Sequence, residues 1–324
     1  MELSFQFIAD GTDGDRLDAA FARYWPSYER WLRRSRPQSF GECLRQLRHH
    51  MPELLPTFEM LHARFGGSDD VGRFLTLYNP PRVVRACTQL MLDTDNGPLL
   101  LRSYDHHPGL LDGIILRSEW SGVQTLAMAD CIWGALDGIN SDGLAIALAF
   151  GGRNALGDGF SAPLICRYIL ETCSNLAEAR TALARLPVYM PYTFAVIDAS
   201  GEFVTAFLGP DADATFVTRR ASTNHQRGID WPKYANFVET EGRLERIEPL
   251  IDPNTSVEQV RQAFLSQPVW RTHYDNASGT LYVAEYSCSA KRLSLHWPGR
   301  TEHFELTDAV ERTLSVALPD SPVT

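Results

Sequence analysis

The sequence has no apolar run near the length of about 20 residues that a membrane-spanning helix needs. Its first residues, MELSFQFIADGTDGDR, contain neither the basic nor the apolar region of a secretory signal. The six cysteines include no C-x-x-C pair, which in a chain of 324 residues is typical of reduced thiols rather than of a disulfide framework. Together these absences predict a cytoplasmic protein without a membrane partner.

Positive charge is also scarce. The formal net charge is −10, so the long-range field repels polyanions and a nucleic-acid partner is not expected. The G-x-S-x-G turn of serine hydrolases is missing, and no glycine-rich segment continues into the Lys-Ser/Thr of a phosphate-binding loop. We expect no cofactor and no metal. The 44% of hydrophobic residues nevertheless supports a substantial core, in one large domain or two small ones.

The chain changes character near residue 86. Before this point apolar residues recur at helical spacing, for example Leu54, Phe58, Leu61 and Phe65. Asp15 is placed to cap a first helix, and Pro26 is expected to interrupt it so that Ser27 caps a second one. Residues 1–86 carry 12 basic and 11 acidic residues, whereas the remainder carries 18 and 29. We interpret 1–86 as a helical segment that stays docked on an acidic body, 87–324.

From Cys87 onward strand patterns dominate. The predicted strands are 87–92, 98–105, 113–117, 124–130, 143–150, 192–198, 202–208, 220–224, 280–287 and 292–297. Asn96-Gly97 is the strongest hairpin signal among the turns between them. The predicted helices are 161–173, 176–185, 231–247 and 255–265. Strands in two groups with helices between them favour an α+β fold with two stacked sheets covered by helices.

One hairpin brings three reactive groups within reach of each other. Cys87 begins the first strand, and Arg102 and Asp105 lie on the second. If the second strand folds back on the first, its far end lies near the thiol. By itself this pattern also fits a buried strand cysteine that acts as a small hydrophobe, beside a surface ion pair worth under about 1 kcal/mol.

Further motifs follow in a fixed order: Cys87, Arg102-x-x-Asp105, Asp137-Gly138-Ile139-Asn140-Ser141-Asp142-Gly143-Leu144-Ala145 and Ser222-Thr223-Asn224-His225. In order and spacing they resemble the cysteine N-terminal-nucleophile hydrolases, which include penicillin acyltransferase and the choloylglycine hydrolases. The resemblance is greatest to the acyl-coenzyme A:6-aminopenicillanic acid acyltransferase type (peptidase family C45), whose members carry a helical prosegment. It covers most of 85–300 and implies a four-layer αββα sandwich of two antiparallel sheets.

The resemblance also implies roles for individual residues. The chain would cut itself between Ala86 and Cys87, and Cys87 would then be both nucleophile and, through its freed α-amine, general base. Arg102 would favour the thiolate by its charge, and Asp105 would hold the α-ammonium group. Asn224 would donate a hydrogen bond to the oxyanion, a contribution of about 2.7–4 kcal/mol in comparable sites.

The sequence departs from the choloylglycine pattern in two places. Counting from Asn140 places Phe150 where that branch has an oxyanion-hole asparagine, so a backbone N–H of Phe150 or Gly151 would have to replace it. The late arginine of that branch has no counterpart near Lys291-Arg292. Asn140 itself is expected to hold the turn before Gly143. Phe150, Gly151 and Tyr192 are our candidates for binding the substrate.

The resulting prediction is a self-processing amidohydrolase or acyltransferase that acts on a linear amide. Its expected partners are a small amide or acyl substrate, the retained prosegment and, in an oligomer, further copies of the chain. Two alternatives remain open from the sequence. Asp105-His106-His107, with Asp93 and Asp95 upstream, suits a metal-dependent phosphoesterase of the DHH type. A catalytically silent relative that binds an acyl ligand is the other.

Overall fold

The computed structural model describes residues 1–11, 15–35, 38–276 and 278–319. Its strands are, in chain order, β1 (Glu2–Ala9), β2 (Ala86–Thr94), β3 (Gly97–His106), β4 (Ile114–Ser118), β5 (Thr125–Asp130), β6 (Gly134–Asn140), β7 (Ala145–Phe150), β8 (Tyr192–Ile197), β9 (Phe203–Gly209), β10 (Ala212–Val217), β11 (Ala221–Ser222), β12 (Thr272–His273), β13 (Ser278–Ser287), β14 (Arg292–Trp297), β15 (Arg300–Glu305) and β16 (Arg312–Ala317). Its helices are α1 (Asp15–Leu32), α2 (Phe40–His50), α3 (Leu55–Arg64), α4 (Asp69–Thr76), α5 (Ala162–Thr172), α6 (Leu176–Arg185), α7 (Pro232–Phe237), α8 (Thr240–Ile247) and α9 (Val257–Phe264).

Two sheets stacked face to face form the centre of the molecule. In the described parts of the chain, one sheet has nine strands in the order β10-β9-β8-β7-β6-β5-β4-β1-β16, and the other contains β11-β2-β3-β13-β14-β15 with β12 beside β13. All neighbouring strands are antiparallel except β1 and β4. Strands β2 and β3 pack against β7 and β8 across the interface between the sheets. Helices α5 and α6 cover the larger sheet and α8 contacts the smaller one, which confirms the predicted α+β sandwich.

The hairpin of β2 and β3 is formed as its turn residues predict. Thr94 pairs with Gly97, and the two residues between them make the turn. Gly97 has a φ of +97°, and a Cβ at this position would lie 2.0 Å from the Ser289 hydroxyl oxygen. Glycine is therefore needed at the start of β3 for both reasons.

The N-terminal segment contains a strand that the sequence analysis did not predict. In β1, Leu3, Phe5 and Phe7 face the core and alternate with more exposed neighbours, which is a two-residue period that identifies a strand. This strand lies between β4 and β16, and it is the only strand that β16 pairs with among the described residues. At its outer end Leu318 N–H donates to the Met1 carbonyl at 2.7 Å.

Two helix predictions were wrong in detail. Helix α1 continues through Pro26 instead of ending there. Tyr24 and Tyr28 on either side of the proline both donate to Asp112, which anchors both halves of the helix at one point. The predicted helix over 231–247 is divided into α7 and α8, and Glu239 between them has a φ of +51°. No helix among the described residues is long and apolar enough to span a membrane.

Candidate active site

Cys87 lies at the start of β2, directly opposite Tyr104 of β3. Its side chain is fully buried. All six cysteines lie among the described residues, where each is buried and none forms a disulfide. Because strand side chains alternate between faces, Cys87 and Arg102 point toward the larger sheet, and Asp105 points away from it.

Arg102 is in direct contact with the thiol. Its Nη2 lies 3.1 Å from the Cys87 sulfur, and its Nε donates to the Leu148 carbonyl of the facing sheet at 3.1 Å. The remaining nitrogen, Nη1, donates to Asp137 and to the Tyr282 hydroxyl. Every nitrogen of this buried guanidinium thus has a partner, which fixes the charge beside the sulfur.

Asp137 is a site residue that the sequence analysis quoted in a motif without giving it a role. Its carboxylate is fully buried and accepts hydrogen bonds from Arg102, Tyr282 and Tyr286. Burial raises the pKa of Asp137, and the Arg102 charge opposes this shift. The carboxylate partner of Arg102 is therefore Asp137 and not Asp105, and the alternative of a surface Arg102–Asp105 pair was wrong.

The surroundings of the Cys87 thiol favour its neutral form. Burial raises the pKa of Cys87, because a thiolate loses its solvation there. Arg102 lowers it, and Asp105 adds to the increase. Desolvation outweighs the nearby cations Arg102 and Arg243, so the net effect is a raised pKa of the thiol.

Asn224 contacts the backbone of Cys87. Strand β11 pairs with β2 only as far as Ser222. Beyond it the side chain of Asn224, instead of a strand backbone, makes the hydrogen bond to the Cys87 backbone. Asn224 Oδ1 accepts the Cys87 N–H at 2.8 Å, and Nδ2 donates to the Phe150 carbonyl at 3.0 Å and the Arg85 carbonyl at 3.4 Å. The N–H of Asn224 donates to Thr240 at the start of α8, which fixes the position of this residue.

Arg243 of α8 is the second site residue that the sequence did not reveal. It is fully buried, and its Nη1 donates to the Cys87 carbonyl at 2.7 Å and to Thr88 Oγ1 at 2.8 Å. Its Nη2 donates to Asn224 Oδ1 at 2.7 Å. Nothing in the sequence around Arg243 distinguishes it from an exposed helix arginine, and only the packing of α8 places it here.

Asp105 lies across the strand ladder from Ala86. It is fully buried; Oδ1 accepts a hydrogen bond from Thr280 at 2.8 Å, whereas Oδ2 accepts none from the described residues. The nearest cation to Oδ2 is Arg243 Nη1, at 3.7 Å. Burial raises the pKa of Asp105, and Arg243 and Arg271 oppose the shift.

Of the three predicted substrate-binding residues, two line a cavity, and the third uses its N–H group in a backbone hydrogen bond. Phe150 and Tyr192 line a cavity next to the site, with Leu148 and Met190. The N–H of Gly151 donates to the Pro191 carbonyl at 2.9 Å, so this group already has a hydrogen-bond partner. The cavity is also lined by Asp130 and by residues of the linker between α4 and β2, residues 77–85.

Two further sequence interpretations can be compared with the structure. Asn140 holds its turn as predicted, since Oδ1 accepts the N–H groups of Asp142 and Leu144. The residues proposed for a metal site do not converge: Asp93 pairs with Arg220, and Asp105 contacts Thr280. The described part of the chain contains no group of three His, Cys, Asp or Glu side chains arranged to hold a metal ion.

Comparison with known proteins adds a family match and a structural likeness. The profile of the acyl-coenzyme A:6-aminopenicillanic acid acyl-transferase family matches residues 92–302. No curated protein matches the chain. A variant of conjugated bile acid hydrolase from Clostridium perfringens is similar with a TM-score of 0.50 and 12% identity, over 72% of this chain and 98% of that one. Penicillin V acylase from Agrobacterium tumefaciens gives 0.49 and 13%, over 65% and 82%. The likeness to the bile acid hydrolase bears on the fold alone.

Proposed function

The chain belongs to the acyl-coenzyme A:6-aminopenicillanic acid acyl-transferase family, as the resemblance predicted, and on that premise we propose that it cleaves a linear amide bond through a Cys87 thioester. It is an enzyme of the N-terminal-nucleophile amidohydrolase or acyltransferase type. The contact of 3.1 Å between Arg102 Nη2 and the Cys87 sulfur carries the proposal. A fixed cation at this distance favours a thiolate as soon as a base and solvent reach the thiol.

Self-cleavage is the first step. The Cys87 thiol attacks the Ala86 carbonyl carbon, the C–N bond breaks, and the nitrogen takes up a proton to become the α-amine. Water then hydrolyses the thioester, which leaves a carboxylate on Ala86 and restores the thiol. The products are the chains 1–86 and 87–324.

Asp105 acquires its role after this cut. Ala86 lies opposite Asp105 in the ladder, and the cut frees Ala86 to leave that place. The new α-ammonium group of Cys87 turns toward Asp105 Oδ2, the oxygen that accepts no hydrogen bond from the described residues. An α-amine has a reference pKa of about 7.7–8.0, which suits a general base near neutral pH.

Turnover repeats the same chemistry on a substrate. The α-amine takes the thiol proton, the thiolate attacks the amide carbonyl, and the leaving nitrogen takes that proton as the C–N bond breaks. Asn224 Nδ2, released from the Arg85 carbonyl when the linker moves, donates to the oxyanion of the intermediate. Water, or an acceptor amine in acyl transfer, then releases the acyl group from Cys87.

The fragment 1–86 remains part of the enzyme. Its strand β1 pairs with β4 on one side and β16 on the other, so its loss would break two strand ladders. Its helices also contact the body: the Trp133 indole donates to the Leu75 carbonyl at 3.1 Å, and the Tyr168 hydroxyl donates to Glu53 at 2.9 Å. Cleavage at Ala86 does not touch any of these contacts.

The Cys87→Ala variant tests the proposal, with Cys173→Ala as the control because Cys173 is a buried cysteine outside the site. We expect Cys173→Ala to yield two co-purifying fragments and Cys87→Ala to remain one chain of 36.3 kDa. Mass spectrometry of the processed protein after exposure to an amide library should find an acyl group on Cys87. Fragments from Cys87→Ala would assign cleavage to another protease. A processed protein that binds amides but never carries an acyl group would instead be the catalytically silent relative.

A further inference from the structure

The cavity beside Cys87 is lined on one side by the linker that precedes it, residues 77–85. Pro80, Pro81, Val83 and Arg85 line it from the linker side. Its free volume of about 30 Å³ holds only about two water molecules. A substrate acyl group therefore has to displace linker residues before it can enter.

One of these linker residues forms an ion pair inside the cavity. Arg85 Nη2 lies 2.7 Å from Asp130 Oδ2, and the Asp130 side chain is 4% exposed. The Arg85 guanidinium carbon is 5.9 Å from the ring centre of Tyr104, the residue directly opposite Cys87. The Arg85–Asp130 ion pair thus lies close to Tyr104, the neighbour of Cys87 on the adjacent strand.

The turn that carries Asp130 is held rigidly. Cys131 and Ile132, which follow it, have φ angles of +54° and +71°, a backbone conformation that is strained for both residues. The Cys131 N–H donates to the Tyr28 hydroxyl at 3.1 Å, and the Ile132 N–H donates to Asp112 at 3.2 Å. This turn fixes the Asp130 carboxylate at the cavity wall instead of letting it rotate into solvent.

Displacement of Arg85 leaves Asp130 without a counter-charge. Within the described ranges, Arg85 is its only ion-pair partner, and Arg85 directly precedes Ala86, whose carbonyl belongs to the bond that we propose is cut. A buried carboxylate whose partner has been removed is strongly unfavourable. A neutral or anionic acyl group would leave the Asp130 charge unpaired. A cationic acyl group would restore an ion pair like the one that Arg85 forms.

We propose that Asp130 is a subsite for a positively charged group on the acyl part of the substrate, and that Arg85 occupies it until the linker leaves. The substrate class is then an amide whose acyl part carries an amine or a guanidinium. This inference rests on the proposed function, because Arg85 marks the acyl side of the bond that Cys87 attacks. The subsite specifies the charge of the acyl group, which the proposed amide cleavage alone leaves open.

Two chromogenic amides test the subsite on processed full-length protein. Acetyl-Arg-Ala-p-nitroanilide places a guanidinium as Arg85 does, and acetyl-citrulline-Ala-p-nitroanilide is its neutral isostere. We expect kcat/KM to favour the cationic amide by about 10- to 100-fold, the range for a hydrogen bond to a charged group. In Asp130→Asn this ratio should fall to near one. A wild-type ratio near one, with both amides cleaved, overturns the subsite while the proposed function stands.

A binding measurement keeps the subsite testable without turnover. Calorimetry compares acetyl-Arg-Ala and acetyl-citrulline-Ala, which carry a free carboxylate and no scissile anilide. Tighter binding of the arginine peptide to wild type, lost in Asp130→Asn, supports the subsite even if no amide is cleaved. Asp198→Asn is the matched control, since Asp198 is a buried aspartate that does not line the cavity. Equal loss of preference in Asp198→Asn would overturn the assignment to Asp130.

Discussion

The two faces of the β2–β3 hairpin differ in how completely their charged groups are paired. On the face toward the larger sheet, Arg102 and Asp137 are joined to two tyrosines and the thiol, and each charged group has its hydrogen-bond partners. On the opposite face, Asp105 has one oxygen without a hydrogen bond, and two Arg271 nitrogens also lack partners among the described residues. The charged groups of one face are fully paired, whereas the other face keeps a carboxylate oxygen to which the proposed cleavage would supply an ammonium group.

The largest expected effect is on the complete face. Arg102→Gln removes the cation from Asp137 and leaves a buried carboxylate uncompensated, so we expect a loss of about 3–5 kcal/mol in the free energy of unfolding. Urea denaturation of the uncleaved chain, with Cys87→Ala as background to prevent processing, measures this loss. Arg102→Lys keeps the charge and should lose less. A Gln variant as stable as the background would show that Asp137 is neutral in the folded chain.

Asn224 lies where the two faces meet, since it contacts both the Cys87 N–H and Arg243. Asn224→Ala should lower kcat/KM of processed enzyme by about 10²–10³ through the loss of an oxyanion donor. Tm serves as the control, because a merely structural residue would lower Tm and activity together. Near-normal turnover would make Asn224 a positioning residue for the Cys87 backbone only.

The smallest effect is expected on the incomplete face, where Asp105→Asn keeps an acceptor and removes the charge. In processed enzyme the α-amine loses an anionic neighbour that favoured its protonated form, so the pKa of the amine falls. The base is active when deprotonated, and the acidic limb of kcat/KM against pH should therefore move to lower pH, with a reduced plateau. The uncleaved variant should lose less stability than Arg102→Gln. An unmoved limb and an undiminished plateau would remove Asp105 from the site.

The sequence was most informative where the motif lies on adjacent strands. Cys87 and Arg102 are brought together by a hairpin whose turn residues are recognisable, and their contact could be predicted. Asp105 could be placed on the same strand, but its partner could not, because the face of β3 it occupies depends on register. The two charged groups that complete the site, Asp137 and Arg243, come from elements far away in sequence; Asp137 lies in a recognisable motif, but nothing local gives either residue a role. Packing alone brings them to the thiol.

The pairing of β1 with β16 also determines where this chain could be opened and rejoined. The Met1 and Leu318 backbones are hydrogen-bonded to each other at the sheet edge, so a short linker could join these two residues. A circularly permuted gene could then start at Cys87 and finish at Ala86 while keeping every strand pair of the fold. Removal of the initiator methionine from such a protein would create the N-terminal cysteine directly. Catalysis could be studied in it apart from self-processing, even with substitutions that block the cut.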